Sequence, residues 1–175
     1  KNKCRVCSAD IKEFMSLGQM PIANAFVKED KKNKQFFYNL KIGFCEKCFT
    51  LQLIDVPKPE QMFNDSYAYL ASTSSTMINH FSKLASKIIN YSNISNKSFV
   101  VEVGSNDGIF LKNFSDKNIK HLGIDASKNV CDLAEKKGVK TLNEFLNLKT
   151  SKKIKKNYGE ADIIVSTNTM HHIEN

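Results

Sequence analysis

The chain has 175 residues, 41% of them apolar and 25% charged, which suits one domain or two small ones with a packed core and excludes wholesale disorder. No apolar run approaches the ~18–20 residues that span a bilayer, and the start, Lys1-Asn2-Lys3-Cys4, lacks the apolar stretch of a secretory signal. The net charge is +8, yet of the 26 basic residues Arg5 is the only arginine.

That charge is also dispersed: residues 1–72 carry 11 basic and 8 acidic groups, and residues 73–175 carry 15 and 10. Lysine is a solvated point charge without the planar fork of arginine, and a nucleic-acid footprint would cluster on one face. The excess reads as a lysine-coated surface with no nucleic-acid or membrane partner. A cytoplasmic location is expected. The chain does not begin with Met, so it reads as processed or cut from something longer.

Residues 1–60 read as short strands and loops around a metal. Cys4-Arg5-Val6-Cys7 and Cys45-Glu46-Lys47-Cys48 are two CxxC pairs with 37 residues between them. In a reducing compartment paired cysteines are more often metal ligands than disulfides. Four thiolates suit tetrahedral Zn2+ and leave no open position, so the metal is expected to be structural. A redox CxxC is the rival, but it has no use for a second matching pair. Phe36 to Phe44 leads into the second knuckle, and Leu51, Leu53 and Ile54 form a short strand leaving it. The uncharged stretch Met20 to Phe26 reads as a loop that packs or lines a pocket.

Residues 61–95 read as a helical connector. Ser74 or Ser75 can cap a helix. Met77, Ile78, Phe81, Leu84, Ala85, Ile88 and Ile89 then recur at three- and four-residue spacing, one face of an α-helix. Residues 96–175 alternate strand and helix. Strands are expected at Phe99–Val103, His121–Asp125, Val139–Leu142 and Ala161–Ser166. Helices are expected from Ile109 to Phe114 and from Val130 to Lys137, the second ended by Gly138. The lysine run Lys149 to Lys156 reads as a solvated connection, and Cys131 as a small core residue. The pattern argues for a parallel sheet with right-handed crossovers, a Rossmann-like half.

The loop after the first of these strands is the sharpest clue. A dinucleotide fold prefers G-x-G-x-x-G, so that bare backbone can approach a pyrophosphate. Here the loop reads Gly104-Ser105-Asn106-Asp107-Gly108, with Asn106 in the second glycine's place and an added acid that would repel a pyrophosphate. Glu102 and Asp107 suit a cationic, amine-bearing ligand instead. Asp125, 23 residues beyond Glu102, ends the second strand, where a carboxylate can accept both hydrogen bonds of a ribose diol. A nucleoside with a sulfonium and an ammonium group fits, namely S-adenosylmethionine. A structural turn and an NAD site are the rivals.

Taken together, these motifs resemble a family. Cys4-x-x-Cys7, Leu17 to Phe26, Cys45-x-x-Cys48 with Leu51-Gln52-Leu53, Tyr67-Ala68-Tyr69, Val101 to Gly108 and Gly123-Ile124-Asp125 occur in that order. The order is similar to that of the deoxysugar C-methyltransferases, zinc-containing class I enzymes that methylate C3 of nucleotide-linked 4-keto sugars. The resemblance implies the fold: an N-terminal zinc-knuckle domain over 1–60, then a partial Rossmann-like class I methyltransferase sheet over 96–175. It implies cofactor contacts from Glu102, Gly104, Asn106, Asp107, Gly108 and Asp125, with Ser105 in the same loop. Asn168 and His172 match a family Asn-x-x-x-His stretch beside cofactor and sugar, and Tyr69 or Tyr67 matches a tyrosine near the sugar.

The implied chemistry is removal of the proton beside the keto group, followed by in-line attack of the enolate carbon on the sulfonium methyl. Zinc takes no part. Family members carry a further region with a Glu-His pair, so the chain is expected to be the N-terminal part of a larger enzyme. Alone it is expected to bind zinc, bind the cofactor weakly and not turn over. Two other readings stay open: a zinc-ribbon module binding nucleic acid or protein, and a class I methyltransferase with another acceptor. The oligomeric state is not legible.

Overall fold

The computed structural model describes residues 2–173, and the chain divides into two compact units, Lys1–Met62 and Phe63–Asn175. In the first, β1 (Lys12–Pro21) pairs antiparallel with β2 (Phe37–Phe44), and β2 pairs antiparallel with β3 (Leu51–Leu53). A one-turn helix, α1 (Pro59–Met62), ends the unit, with proline at the first helical position where its missing N–H costs nothing. The ten-residue β1 is longer than the short strands expected. Nine of its residues are exposed and its register slips twice, so it has no buried face to give the sequence an alternating pattern. The stretch from Met20 also differs from expectation. Met20 and Pro21 close β1, a turn bonds Ala25 N–H to Ile22 O (3.2 Å), and Phe26 projects into solvent at 84% exposure.

This unit holds almost no apolar core. Among its described residues the buried non-glycine side chains are Cys4, Cys45 and Pro57. About 60 residues with so little buried surface need a staple, and the four cysteines are the candidates for it.

The second unit opens with α2 (Ser75–Tyr91). The Ser74 hydroxyl caps it by accepting from Met77 N–H at 3.3 Å, and Phe81 and Ala85 on its apolar stripe are buried. Four parallel strands follow: β4 (Phe99–Val103), β5 (Lys120–Asp125), β6 (Thr141–Asn143) and β7 (Ile163–Ser166), in the order β6-β5-β4-β7. All five residues of β4 are buried, as befits a central strand covered on both faces. Alternate side chains serve two cores. Val100 joins Phe81, Ala85, Phe110, Leu111, Phe114, Ala134 and Val139. Phe99, Val101 and Val103 join Leu122, Ile124 and Ile154.

The connections differ from expectation in two places. The helix expected from Ile109 shrinks to one turn, α3 (Lys112–Ser115). Gly108 sits at φ 78°, and the Asn113 amide donates to the carbonyls of Ile109 (3.2 Å) and Phe110 (3.0 Å), offering the backbone a rival to helical bonding. The lysine run lies on a true helix, α5 (Leu148–Tyr158), capped by Asn147 Oδ1 accepting from Thr150 N–H at 2.9 Å and anchored by buried Thr150 and Ile154. Helix α4 (Lys128–Lys136) is left through Gly138 at φ 81°. Among the described residues, no helix is long and apolar enough to cross a membrane.

Candidate functional site

The two cysteine knuckles fold alike. In each, the first cysteine's N–H donates to a carbonyl five residues on (Cys4 to Ala9, 2.8 Å; Cys45 to Thr50, 3.0 Å). Its own carbonyl accepts from the N–H four residues on (Ser8, 2.9 Å; Phe49, 2.8 Å). Ser8 and Phe49 turn the chain back at φ 60° and 58°. The repeated turn aims four sulfurs inward, all within 4.8 Å of one another, with Cys4–Cys48 and Cys7–Cys45 each at 3.5 Å. A tetrahedral Zn2+ with bonds of about 2.3 Å sets its sulfurs about 3.8 Å apart, so the cluster needs little adjustment to close on the ion.

The electrostatics agree. Burial raises the Cys4 thiol, but hydrogen bonds from the Cys7 and Val6 backbone and from Gln52 and Cys48 outweigh it and lower the thiol to about 6. Cys7, despite a backbone bond at Ala9, is pushed up to about 12 by burial and the neighbouring sulfurs. Cys48 is lowered as well, first by the Thr50 hydroxyl, and four thiolates gathered this closely need a cation. Gln52 Nε2 donates to Cys4 Sγ at 3.1 Å, and Thr50 Oγ1 lies 3.2 Å from Cys48 Sγ. Such outer contacts orient ligands. Gln52 stood in the sequence as part of a motif with no role attached.

The second site lies where β4 and β5 end. Glu102 is 2% exposed on the same face of β4 as Val100. Burial, then the charges of Asp125 and Asp107, raise its carboxyl well above the ordinary range. The loop beyond it is held left-handed at Gly104 (φ 74°), Asn106 (φ 49°) and Gly108 (φ 78°). A Cβ on Gly104 would overlap the Thr169 side chain. Asp125 Oδ2 accepts from Asn106 N–H (2.9 Å) and Oδ1 from Ser127 N–H (3.0 Å). Burial raises this carboxyl, and those two bonds oppose the rise.

Asp107, read in the sequence as an anionic partner for the ligand, is already engaged: Oδ2 meets Lys137 Nζ at 3.0 Å and accepts from the Ser72 hydroxyl. Asn106 binds sideways instead, Oδ1 accepting from Ala71 N–H (2.9 Å) and Nδ2 donating to Tyr69 O (3.0 Å). Ser72 opens a Ser/Thr cluster that the sequence suggests only as turn and cap chemistry, and nothing in the sequence pairs it with Lys137.

Among the described residues, five buried side-chain polar atoms lack a hydrogen-bond partner: Glu102 Oε2, Ser105 Oγ, Asp107 Oδ1, Ser127 Oγ and Asn129 Oδ1. All five lie on β4, on the loop after it, or at the start of the helix after β5. Folded proteins rarely strand buried polar atoms, so their gathering in one place makes this the candidate site for a polar ligand. Their donor and acceptor mix, with two buried acids, fits a cationic nucleoside such as S-adenosylmethionine.

Of the remaining expected residues, Tyr67 and His172 flank Phe63. Its ring packs against Tyr67 (5.7 Å) and edge-on against His172 (5.3 Å), which also meets His171 at 3.9 Å. Burial, then His171, lowers His172 and so favours neutral imidazole. Burial, then Asp125 and Tyr69, raises the Tyr67 phenol. Tyr69 is 47% exposed. Asn168 occupies a turn at φ 57°, next to the Thr169 that faces Gly104.

Comparison with known proteins follows the same division. Residues 4–63 match the family described as a putative zinc binding domain, and residues 101–175 match a methyltransferase domain. Over 174 residues the chain is 28% identical to C-methyltransferase NovU of Streptomyces niveus, an alignment covering 98% of this chain and 41% of that protein. The chain therefore spans well under half the length of that relative. Among solved structures, the YcgJ protein of Bacillus subtilis aligns with 55% of this chain and 41% of its own at a TM-score of 0.41 and 20% identity.

Proposed function

We propose that this chain, which joins a zinc-binding domain to an S-adenosylmethionine-binding methyltransferase domain, is the cofactor-holding part of a C-methyltransferase acting on a nucleotide-linked 4-keto deoxysugar. The observation that carries the reading is the gathering of five unpartnered polar atoms and two raised carboxyls at the ends of β4 and β5. The relative's C-methyltransferase description and the family resemblance of the motifs support the reaction type and the sugar.

When bound, the cofactor supplies an electrophilic methyl group. Glu102 holds its positive end, Asp125 takes its ribose, and Gly104, Ser105, Asn106 and Gly108 bring bare or bent backbone close to it. Asp107 steadies that loop through its own partners, and Asn168 lies in the turn after β7, next to the Thr169 that faces Gly104. On the acceptor side, neutral His172 is able to take a proton at neutral pH, and the raised phenol of Tyr67 stays protonated and able to donate to a developing enolate oxygen, with Tyr69 two residues along the same segment. Holding donor and acceptor in line supplies much of such a rate enhancement. Cys4, Cys7, Cys45 and Cys48 hold structural zinc, and four thiolates leave that ion no open position for substrate. Alone, the chain binds the cofactor weakly and does not turn over.

The test is an incubation of the protein at full natural length with methyl-labelled cofactor and a nucleotide-linked 4-keto deoxysugar. Label on a ring carbon of the sugar is expected; label on oxygen, or none on the sugar, overturns the acceptor assignment.

A further inference from the structure

The segment 67–72 carries both acceptor-side tyrosines, yet Ala71 is its one buried residue. What seats it is mostly polar. Asn129 Nδ2 donates to Tyr67 O at 2.8 Å, and Asn106 bonds the backbone at Tyr69 and Ala71. The most densely bonded group is Lys137. Its Nζ donates to Ser72 Oγ (2.7 Å), Asp107 Oδ2 (3.0 Å) and Asp107 O (3.1 Å), while Ser72 N–H also reaches Asp107 Oδ2 (3.3 Å). The Asp107 side chain is 2% exposed and that of Lys137 35%. The ion pair is therefore sheltered on the acid's side, where losing the partner strands a charge.

We propose that Lys137 is a positioning residue that couples cofactor capture to the placement of the acceptor tyrosines. It neutralises Asp107, one of three carboxylates gathered where β4 and β5 end. It thereby leaves Glu102 and Asp125 to meet the ligand and pins Ser72 to the cofactor loop. A loop shaped by the cofactor then carries Tyr67 and Tyr69 with it, because Asn106 and Asp107 grip the segment from inside the loop. This rests on the cofactor reading above.

The test uses the metal-loaded protein at full natural length, with Lys137→Met, Lys137→Arg and Ser72→Ala. Calorimetry reads S-adenosylhomocysteine affinity, and amide hydrogen exchange reads Ala71 and Ser72 against β4 and β5. Lys137→Met is expected to weaken binding by about tenfold or more and to speed exchange at Ala71 and Ser72, with β4 and β5 still protected. Lys137→Arg restores most of the affinity, and Ser72→Ala shifts both readouts in the same direction by less. Binding within twofold of the parent in both Lys137→Met and Ser72→Ala overturns the proposal. So does loss of protection throughout β4 and β5 in Lys137→Met with Ser72→Ala unchanged, since Lys137 would then only hold the fold. A parent protein that takes up no S-adenosylhomocysteine sinks the cofactor reading, and this proposal with it.

Discussion

Replacing Glu102 with Gln should push stability and binding in opposite directions. The carboxyl is buried, one oxygen lacks a partner, and its titration is raised well above the usual range by burial and by Asp125 and Asp107. A carboxyl raised on folding holds its proton more tightly folded than unfolded. Its contribution is thus fully present below the unfolded value and is lost as pH rises through the folded value. Between those two values it makes the unliganded protein lose up to about 1.4 kcal/mol per pH unit. Glu102→Gln keeps the shape and removes that slope, so the variant is more stable than its parent at neutral pH. It also loses the charge proposed to meet the cofactor. A hydrogen bond to a charged group contributes about 1.5–3 kcal/mol, so affinity should fall by roughly 10- to 150-fold. Because the parent carboxyl must ionise to pair with a cation, binding to the parent releases a proton and tightens as pH rises. Thermal unfolding from pH 5 to 8 and calorimetry in two buffers of different ionisation enthalpy read all of this. A Glu102→Gln protein that is less stable at neutral pH, or that binds the cofactor within twofold of the parent, refutes the reasoning.

Two further outcomes follow from the geometry. Removing the metal with a chelator, or replacing Cys45 with Ser, should strip amide protection from β1, β2 and β3 and leave that of β4 and β5, because the first unit buries so little besides its cysteines and structural zinc supplies about 10–16 kcal/mol in comparable small folds; protection of β2 that survives metal removal would show that the unit has another source of stability. Gly104→Ala should cost about 1–2 kcal/mol for a side chain at φ 74° plus the overlap with Thr169, and Thr169→Gly should recover the overlap alone, so strictly additive losses in denaturant melts would show that Thr169 does not lie over that glycine.

The legible parts of this protein are those whose cause is local in sequence. The two knuckles announce themselves because a CxxC turn places its own two sulfurs. Strand β4 and the loop after it are equally plain, since an apolar run meeting Gly104 and Gly108 has few other ways to fold. Strand β1 was obscured because its stability comes from pairing with β2 and not from burying a face. The truncated α3 depended on what Asn113 bonds once it is folded. Lys137 and Ser72 were hidden for a further reason: they sit 65 positions apart, and nothing in a lysine-rich chain distinguishes the lysine that faces a buried acid from those that face water. Asp107 shows the same limit from the other side. Its residue type suggested a hand held out to a cationic ligand, whereas the fold spends that charge on Lys137.

The cost of this fold is unevenly placed. The methyltransferase unit has two well-filled apolar cores, and neither needs an acid. Yet its unpartnered polar atoms, its raised carboxyls and three left-handed loop residues all meet at the carboxyl ends of two adjacent strands. Physical defects spread at random would weaken a protein everywhere; concentrated beside a switch in strand order, they are what the proposed binding of a polar, cationic ligand would relieve. A ligand that satisfies these groups recovers on binding what the empty fold forgoes. The cofactor should therefore stabilise the loop and the 67–72 segment more than it stabilises the cores beneath them.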